Sequence, residues 1–198
     1  MSSGFYTALA GLVAVTTIAI RHWSQGRKCP SSTRLDGKTV VITGGNAGIG
    51  KETARELSKY FVDWSIQLSF SFIFVSGKRG ARVVIGSRNL EKSLKVAQDI
   101  RIESGNEVIA LTLDLASFAS VRNFVKELSK HVEKIDILIN NAGIMWLPEE
   151  KTVDGNEKQI QVNYLGHFLL TNLLLERMNK PSRIINLSSL AHGWSKWN

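Results

Sequence analysis

The sequence predicts a doubly wound α/β fold, a parallel sheet of five strands with helices on both faces, preceded by an N-terminal hydrophobic helix. Three observations carry this. Short β-branched runs alternate with helical stretches from residue 39 onward, the rhythm of strand-helix-strand units. The strand runs are almost continuously apolar, as strands buried on both faces of a parallel sheet are. A glycine-rich turn, Thr43-Gly44-Gly45-Asn46-Ala47-Gly48-Ile49-Gly50, stands between the first strand and the first helix of that series. At 198 residues, 43% hydrophobic and 21% charged, the chain has room for one domain and a short appendage, and its composition excludes a disordered chain. The single cysteine, Cys29, excludes an intrachain disulfide framework.

The appendage comes first. Residues 4–20 (GFYTALAGLVAVTTIAI) carry no charge, and the run breaks at Arg21-His22. Its length is at the short end of the roughly 17–25 apolar residues that a spanning helix needs. Residues 1–23 are therefore expected to form a membrane anchor or a targeting helix. A cleaved signal peptide would want a basic stretch before the apolar run and a small-x-small site after it, and neither is present. Arg21, Arg27, Lys28, Arg34 and Lys38 all follow the segment. From that asymmetry the body is expected to face the cytosol or an equivalent interior such as the matrix, with endoplasmic reticulum and mitochondrial membranes left as alternatives. Residues 24–37 read as a linker and 38–198 as the α/β domain.

Within that domain the expected strands are 39–43, 82–86, 107–111, 136–140 and 183–187. Helices are expected at 51–59, 91–103 and 117–133, the last with Ser117 as its N-cap. A long helical stretch, 152–179, carries Val162, Leu165, Leu169 and Leu173 as the apolar stripe that would cover one side of the sheet. Residues 60–78 (YFVDWSIQLSFSFIFVSGK) break the rhythm, where a turn of a few residues should lead into the second strand. Joining Lys59 directly to Arg79-Gly80-Ala81 would give an ordinary helix-to-strand turn, so the stretch reads as an insertion, with an apolar docking element as the alternative.

The glycine turn carries chemistry because of where it stands. Glycines permit positive φ and close backbone approach, and the following helix presents free N–H groups and a positive dipole end to a pyrophosphate. Gly44, Gly45, Asn46, Ala47, Gly48, Ile49 and Gly50 thus form the expected contact loop of a Rossmann-like dinucleotide site. At the end of the second strand a carboxylate would bond the adenosine ribose and an arginine would accommodate a 2′-phosphate. The chain has Ser87-Arg88-Asn89 there, so Arg88 points to NADP(H) over NAD(H). The net charge of +8 is scattered over helix faces with no dense basic stripe, so no nucleic-acid partner is expected. It suits a domain near an anionic membrane that binds a polyphosphate.

In order along the chain, the glycine turn, Leu113-Asp114-Leu115, Asn140-Asn141-Ala142-Gly143, Asn163-Tyr164-Leu165-Gly166-His167-Phe168 and Leu187-Ser188-Ser189-Leu190-Ala191-His192 resemble the motifs of the short-chain dehydrogenase/reductase family. Within it the chain is similar to the retinol dehydrogenase group, over about residues 29–192 apart from the insertion. The resemblance implies that Asp114 and Leu115 contact the adenine ring and that Asn141, Ala142 and Gly143 lie beside the cofactor ribose. It implies that Asn163 organises a water of the proton relay and that Ser189 hydrogen-bonds the substrate oxygen. Taken singly, Asp114 also reads as a cap, Asn163 as a buried amide and Ser189 as a turn residue. The implied activity interconverts a lipophilic, retinoid-like alcohol and its aldehyde, with a homodimer for the full-length form. No Tyr follows Tyr164, so the family's Tyr-x-x-x-Lys acid/base, worth roughly 10² to 10⁴ in rate, is not in the 198 residues. The chain is therefore expected to stop short of that motif and of the last strands. A catalytically inactive truncated form or fragment, binding nucleotide or a partner only, is the alternative reading.

Overall fold

The computed structural model describes residues 3–24, 34–59 and 80–189, in two units that divide after Thr33. The insertion at 60–78, the linker around Cys29, and Leu190 onward lie outside the described residues. The first unit is one helix, α1 (Ser3–Ser24). Its apolar side chains stand exposed, from Tyr6 through Leu12, Val13, Val15, Ile18 and Ile20. The two threonines of its middle turn their hydroxyls back on the helix: Thr16 Oγ1 donates to Leu12 O at 2.9 Å and Thr17 Oγ1 to Val13 O at 2.7 Å. Among the described residues no helix is long and apolar enough to cross a membrane.

The second unit is built on five parallel strands: β1 (Thr39–Thr43), β2 (Arg82–Ser87), β3 (Val108–Thr112), β4 (Ile135–Asn140) and β5 (Met178–Asn186). They lie in the order β3-β2-β1-β4-β5. Helices α2 (Gly48–Ser58), α3 (Leu90–Ser104) and α4 (Phe118–His131) join the first four. Between β4 and β5 run a short α5 (Lys158–Ile160), a π-helical turn (Gln161–Leu165), α6 (Gly166–Leu174) and a 3₁₀ turn (Leu175–Arg177). Asn89 caps α3 by accepting from Lys92 N, and Ser117 caps α4 by accepting from Ser120 N, as the sequence predicts for the second.

Alternation along the strands divides the core in two. Val40 and Ile42 of β1 with Val83 and Ile85 of β2 pack against Ala54 of α2 and Val96, Ala97 and Ile100 of α3. Val41 and Val84 point the other way, onto Phe124 and Leu128 of α4 and Leu170 and Leu174 of α6. Burial on both faces holds for β1 and β2. It fails at the edges: β3 is only half-buried past Val108, and Ile184 and Ile185 of β5 stand exposed.

Two expectations need correction. The stretch 152–179 is not one helix, since it begins as helix only at Lys158 and passes through the π turn. That turn inserts one residue into the repeat, so the fully buried positions beyond it are Leu170 and Leu174 rather than Leu169 and Leu173, which pack only partly against the core. The last strand also starts five residues early. Its register steps from Ile135↔Met178 to Ile137↔Arg183, so the chain bulges between those pairs.

The flanks of the 60–78 stretch meet directly. Ala81 N–H donates to Leu57 O at 3.0 Å, and Asn106 Nδ2 to Ser58 O at 2.6 Å. The end of α2 and the start of β2 thus lie within hydrogen-bonding distance of each other.

Candidate functional site

Because β1 lies between β2 and β4, the chain leaves the strand ends in opposite directions there, the switch point at which doubly wound sheets bind ligands. Two adjoining clefts open at the carboxyl ends of the strands. One, of 570 Å³, is lined by the glycine turn, Ser87 to Asn89, Lys92, Leu113 to Leu115 and Asn141 to Ile144. The other, of 800 Å³, is lined by Asn140, Met145, Asn163, Tyr164, His167, Phe168 and the Asn186–Ser189 segment. Ile49 and Asn141 to Ile144 wall both.

The turn after β1 is shaped by contact and by conformation. Gly48 enters α2 at φ +52, in the left-handed region that favours glycine. At Gly50 a Cβ would fall 2.5 Å from both Gly44 O and Asn141 Nδ2, so the helix approaches the turn closer than any side chain allows. Ala47 caps α2 in extended conformation with no side-chain hydrogen bond, and no acidic residue occupies the first turn. The first N–H groups of α2 and the positive end of its dipole are thereby left to an anion in the cleft. Gly44 N donates to Gly86 O at 2.8 Å and Asn46 Nδ2 to Ser87 Oγ at 2.9 Å, which ties the turn to the end of β2. Gly45 is the one member of the expected contact loop that does not line the cleft. It lies against Ile42 and Ile85, where a Cβ would come within 2.9 and 3.0 Å, so its part is packing the turn onto the sheet.

Beyond β2 the turn that carries Arg88 is held from both sides. Ser87 Oγ hydrogen-bonds Ser93 Oγ, and Ser93 Oγ donates to Asn89 O at 2.9 Å. Arg88 is exposed on the cleft, with Lys92 one helical turn along as a second cation. Asp114 is not the cap of α4. Its Oδ1 accepts from Ala116 N at 2.9 Å, and its own N donates to Ser120 Oγ at 3.0 Å, which fixes the residue at the cleft wall beside Leu115.

The second cleft is organised around Thr43 and Asn163. Thr43 Oγ1 accepts from Asn141 N at 3.0 Å and Ala142 N at 2.9 Å, and Asn141 Nδ2 donates to Thr43 O at 2.9 Å, so β4's exit is locked to β1's. Asn163, in the π turn, grips one residue twice: its Oδ1 accepts from Ile144 N and its Nδ2 donates to Ile144 O, both at 2.8 Å. Its amide is therefore committed to the backbone after β4. Asn140 Nδ2 donates to Thr171 Oγ1 at 3.1 Å and Asn186 Oδ1 at 2.8 Å, which joins β4 to α6 and β5. Ser189 lines this cleft on the chain leaving β5. Burial pushes the His167 imidazole below its usual pKa, against the pull of the Asn163 carbonyl.

Sequence reasoning misses Thr43, Lys92, Ile144 and His167 as site residues. Lys92 follows Arg88 by four positions, one helical turn, and that spacing could have found it. Thr43 and His167 bond each other across 124 residues, and no local pattern announces that.

The family model described as short chain dehydrogenase matches residues 73–196. Retinol dehydrogenase 13 of Mus musculus is 46% identical over 188 residues, 93% of this chain and 51% of that protein. The chain thus spans about half the length of the curated relatives it matches. Among solved structures, an uncharacterized protein from Mycobacterium Paratuberculosis is 42% identical with a TM-score of 0.61, over 79% of this chain and 47% of that one. An alcohol dehydrogenase from the archaeon Thermococcus sibiricus, complexed with 5-hydroxy-NADP, is 26% identical with a TM-score of 0.55, over 71% of this chain and 52% of that one.

Proposed function

The chain belongs to the short-chain dehydrogenase family, in its retinol dehydrogenase group, and from that premise we propose that it binds NADP(H) and serves the interconversion of a lipophilic, retinoid-like alcohol and its aldehyde. The observation that carries the reading is the cradle at the glycine turn: uncapped helix N–H groups behind a backbone so close that no side chain fits at Gly50. That donor set suits a pyrophosphate, and the residues present fit a dinucleotide laid across the strand ends. Arg88, with Lys92 beside it, supplies the positive charge that a 2′-phosphate needs and that a ribose hydroxyl does not. Asp114 and Leu115 wall the adenine end, and Asn141 to Gly143 the ribose nearer the second cleft. Bound there, a nicotinamide dinucleotide gives or takes the hydride.

The remaining roles fall to this chain's own side chains. Met145, Tyr164, Phe168 and Leu187 give the second cleft an apolar wall, which suits a lipophilic substrate. Ser189 donates to the substrate oxygen at that cleft. Asn163 acts by position, holding Ile144 and with it the partition between the two clefts. The apolar, exposed α1, in which the Thr16 and Thr17 hydroxyls are satisfied by the helix's own backbone, serves as the membrane attachment of residues 4–20, with the basic residues after it keeping the body on the cytosolic or matrix side.

The second reading is nucleotide binding without turnover, for which the cradle at the glycine turn suffices by itself. Consumption of NADPH with all-trans-retinal separates the two. Retinal-dependent oxidation of NADPH supports the oxidoreductase reading; saturable NADPH binding with no turnover above background sinks it for this polypeptide and leaves the second.

A further inference from the structure

Thr43 Oγ1 has three partners: Asn141 N at 3.0 Å, Ala142 N at 2.9 Å and His167 Nε2 at 2.8 Å. A hydroxyl offers two lone pairs and one proton. Backbone N–H groups only donate, so the two amides take both lone pairs, and the hydroxyl proton is left for the imidazole. Nε2 must then accept and carry no proton. The ring's own proton sits on Nδ1, 3.2 Å from the Asn163 main-chain oxygen, which only accepts. The count of donors and acceptors fixes both the charge and the tautomer.

We propose that His167 is a positioning residue for the nucleotide cleft: as a neutral imidazole protonated on Nδ1, it ties Thr43 and the Asn141-Ala142 wall to the turn that carries Asn163. The proposal rests on reading that cleft as a nucleotide site. The strut closes a ring of contacts. Thr43 holds Asn141 and Ala142, Asn163 holds Ile144 two residues on, and His167 joins Asn163 back to Thr43. Three elements that diverge at the switch point are thereby fixed to one another, and the Asn141–Ile144 wall shared by the two clefts is held by the ring.

A second proton on the ring would set an N–H against the Thr43 hydroxyl proton, donor against donor. Thr43 could turn away only by giving up Asn141 or Ala142, so a cationic ring opens the contact. Burial acts in the same direction on the imidazole. Among the described residues no charge on a neighbouring element offsets it. Thr43 on β1, Asn140 and Asn141 at the end of β4, Asn186 on β5 and Thr171 on α6 are all neutral, and Tyr164 is the one other titratable group among the described residues lining that cleft.

The experiment is ¹⁵N–¹H correlation of the imidazole nitrogens in the full histidine-labelled chain between pH 5 and 8, with His167→Gln identifying the signal. A protonated Nδ1 and a bare Nε2, with no titration near the ordinary imidazole value, is the expected result. An Nε2–H tautomer, or a cation at pH 7, overturns the proposal. NADPH titration then reads the consequence. Thr43→Val and His167→Gln each weaken binding roughly tenfold, the scale of one buried hydrogen bond, while Thr43→Ser, which keeps the hydroxyl, rescues it. Wild-type affinity in both weakened variants refutes the positioning role and leaves the nucleotide reading standing. Failure of the unsubstituted chain to bind NADPH refutes that reading, and the tautomer still decides whether the strut exists.

Discussion

Gly50→Ala is the substitution whose cost follows most directly from the geometry of the turn. The new Cβ would stand 2.5 Å from Gly44 O, which is backbone, and 2.5 Å from Asn141 Nδ2, the end of a short side chain. Asn141 Nδ2 also donates to Thr43 O at 2.9 Å, so relieving the overlap strains that bond. Overpacking costs about 1–3 kcal/mol and a lost buried hydrogen bond about 1 kcal/mol. Alanine returns about 1 kcal/mol as the better helix former. The net loss is about 1–3 kcal/mol, which for a domain of this size lowers the melting temperature by about 2–12 °C. The assay is thermal melting followed by circular dichroism, with NADPH fluorescence titration as the functional readout. Gly48→Asn is the control: at φ +52 asparagine tolerates the backbone better than other side chains do, and its Cβ has nothing within 4 Å, so it leaves the melt nearly unchanged. A Gly50→Ala chain that melts and binds as the unsubstituted chain does would refute the close-approach argument.

Two further outcomes follow from the same contacts. Burial holds the folded-state pKa of His167 below the ordinary imidazole value, so between the two the unfolded chain binds more protons. Its contribution to stability is complete above that value and is lost as the pH falls through the folded-state pKa. The urea midpoint should fall from pH 7 to pH 5, with a shallower fall in His167→Gln; equal slopes would remove His167 from the account. Deleting residues 60–78 joins elements already hydrogen-bonded through Ala81 N and Leu57 O, so the shortened chain should keep its melting temperature and its NADPH affinity. Loss of cooperative unfolding would show instead that the stretch belongs to the fold.

The parts of the fold that could be read from the sequence are those written locally. β1 has the expected bounds, because Thr39 to Thr43 is apolar between a turn and a glycine loop. Ser117 caps its helix as its residue type suggests. What could not be read depends on chain that is distant in sequence. The π turn at Gln161–Leu165 moves the buried face from Leu169 and Leu173 to Leu170 and Leu174, and a helical wheel drawn with one period cannot register the added residue. Gly45 looks like its loop neighbours in sequence, yet Ile42 and Ile85 claim it. The motif singles out Asn163, which lines the second cleft. Its grip on Ile144 was not legible, because a motif names the side chain and leaves its partner unstated.

The central claim is that the cleft above the glycine turn holds NADP(H), selected by the cation at the end of β2. Equilibrium titration of the full chain with NADPH and with NADH, repeated on Arg88→Ala, tests it directly. The account predicts saturable binding of both, tighter for NADPH, with Arg88→Ala losing about tenfold or more for NADPH, the scale of a hydrogen bond to a charged group, and little for NADH. Equal affinity for the two nucleotides in the unsubstituted chain, or no binding of either, would contradict it.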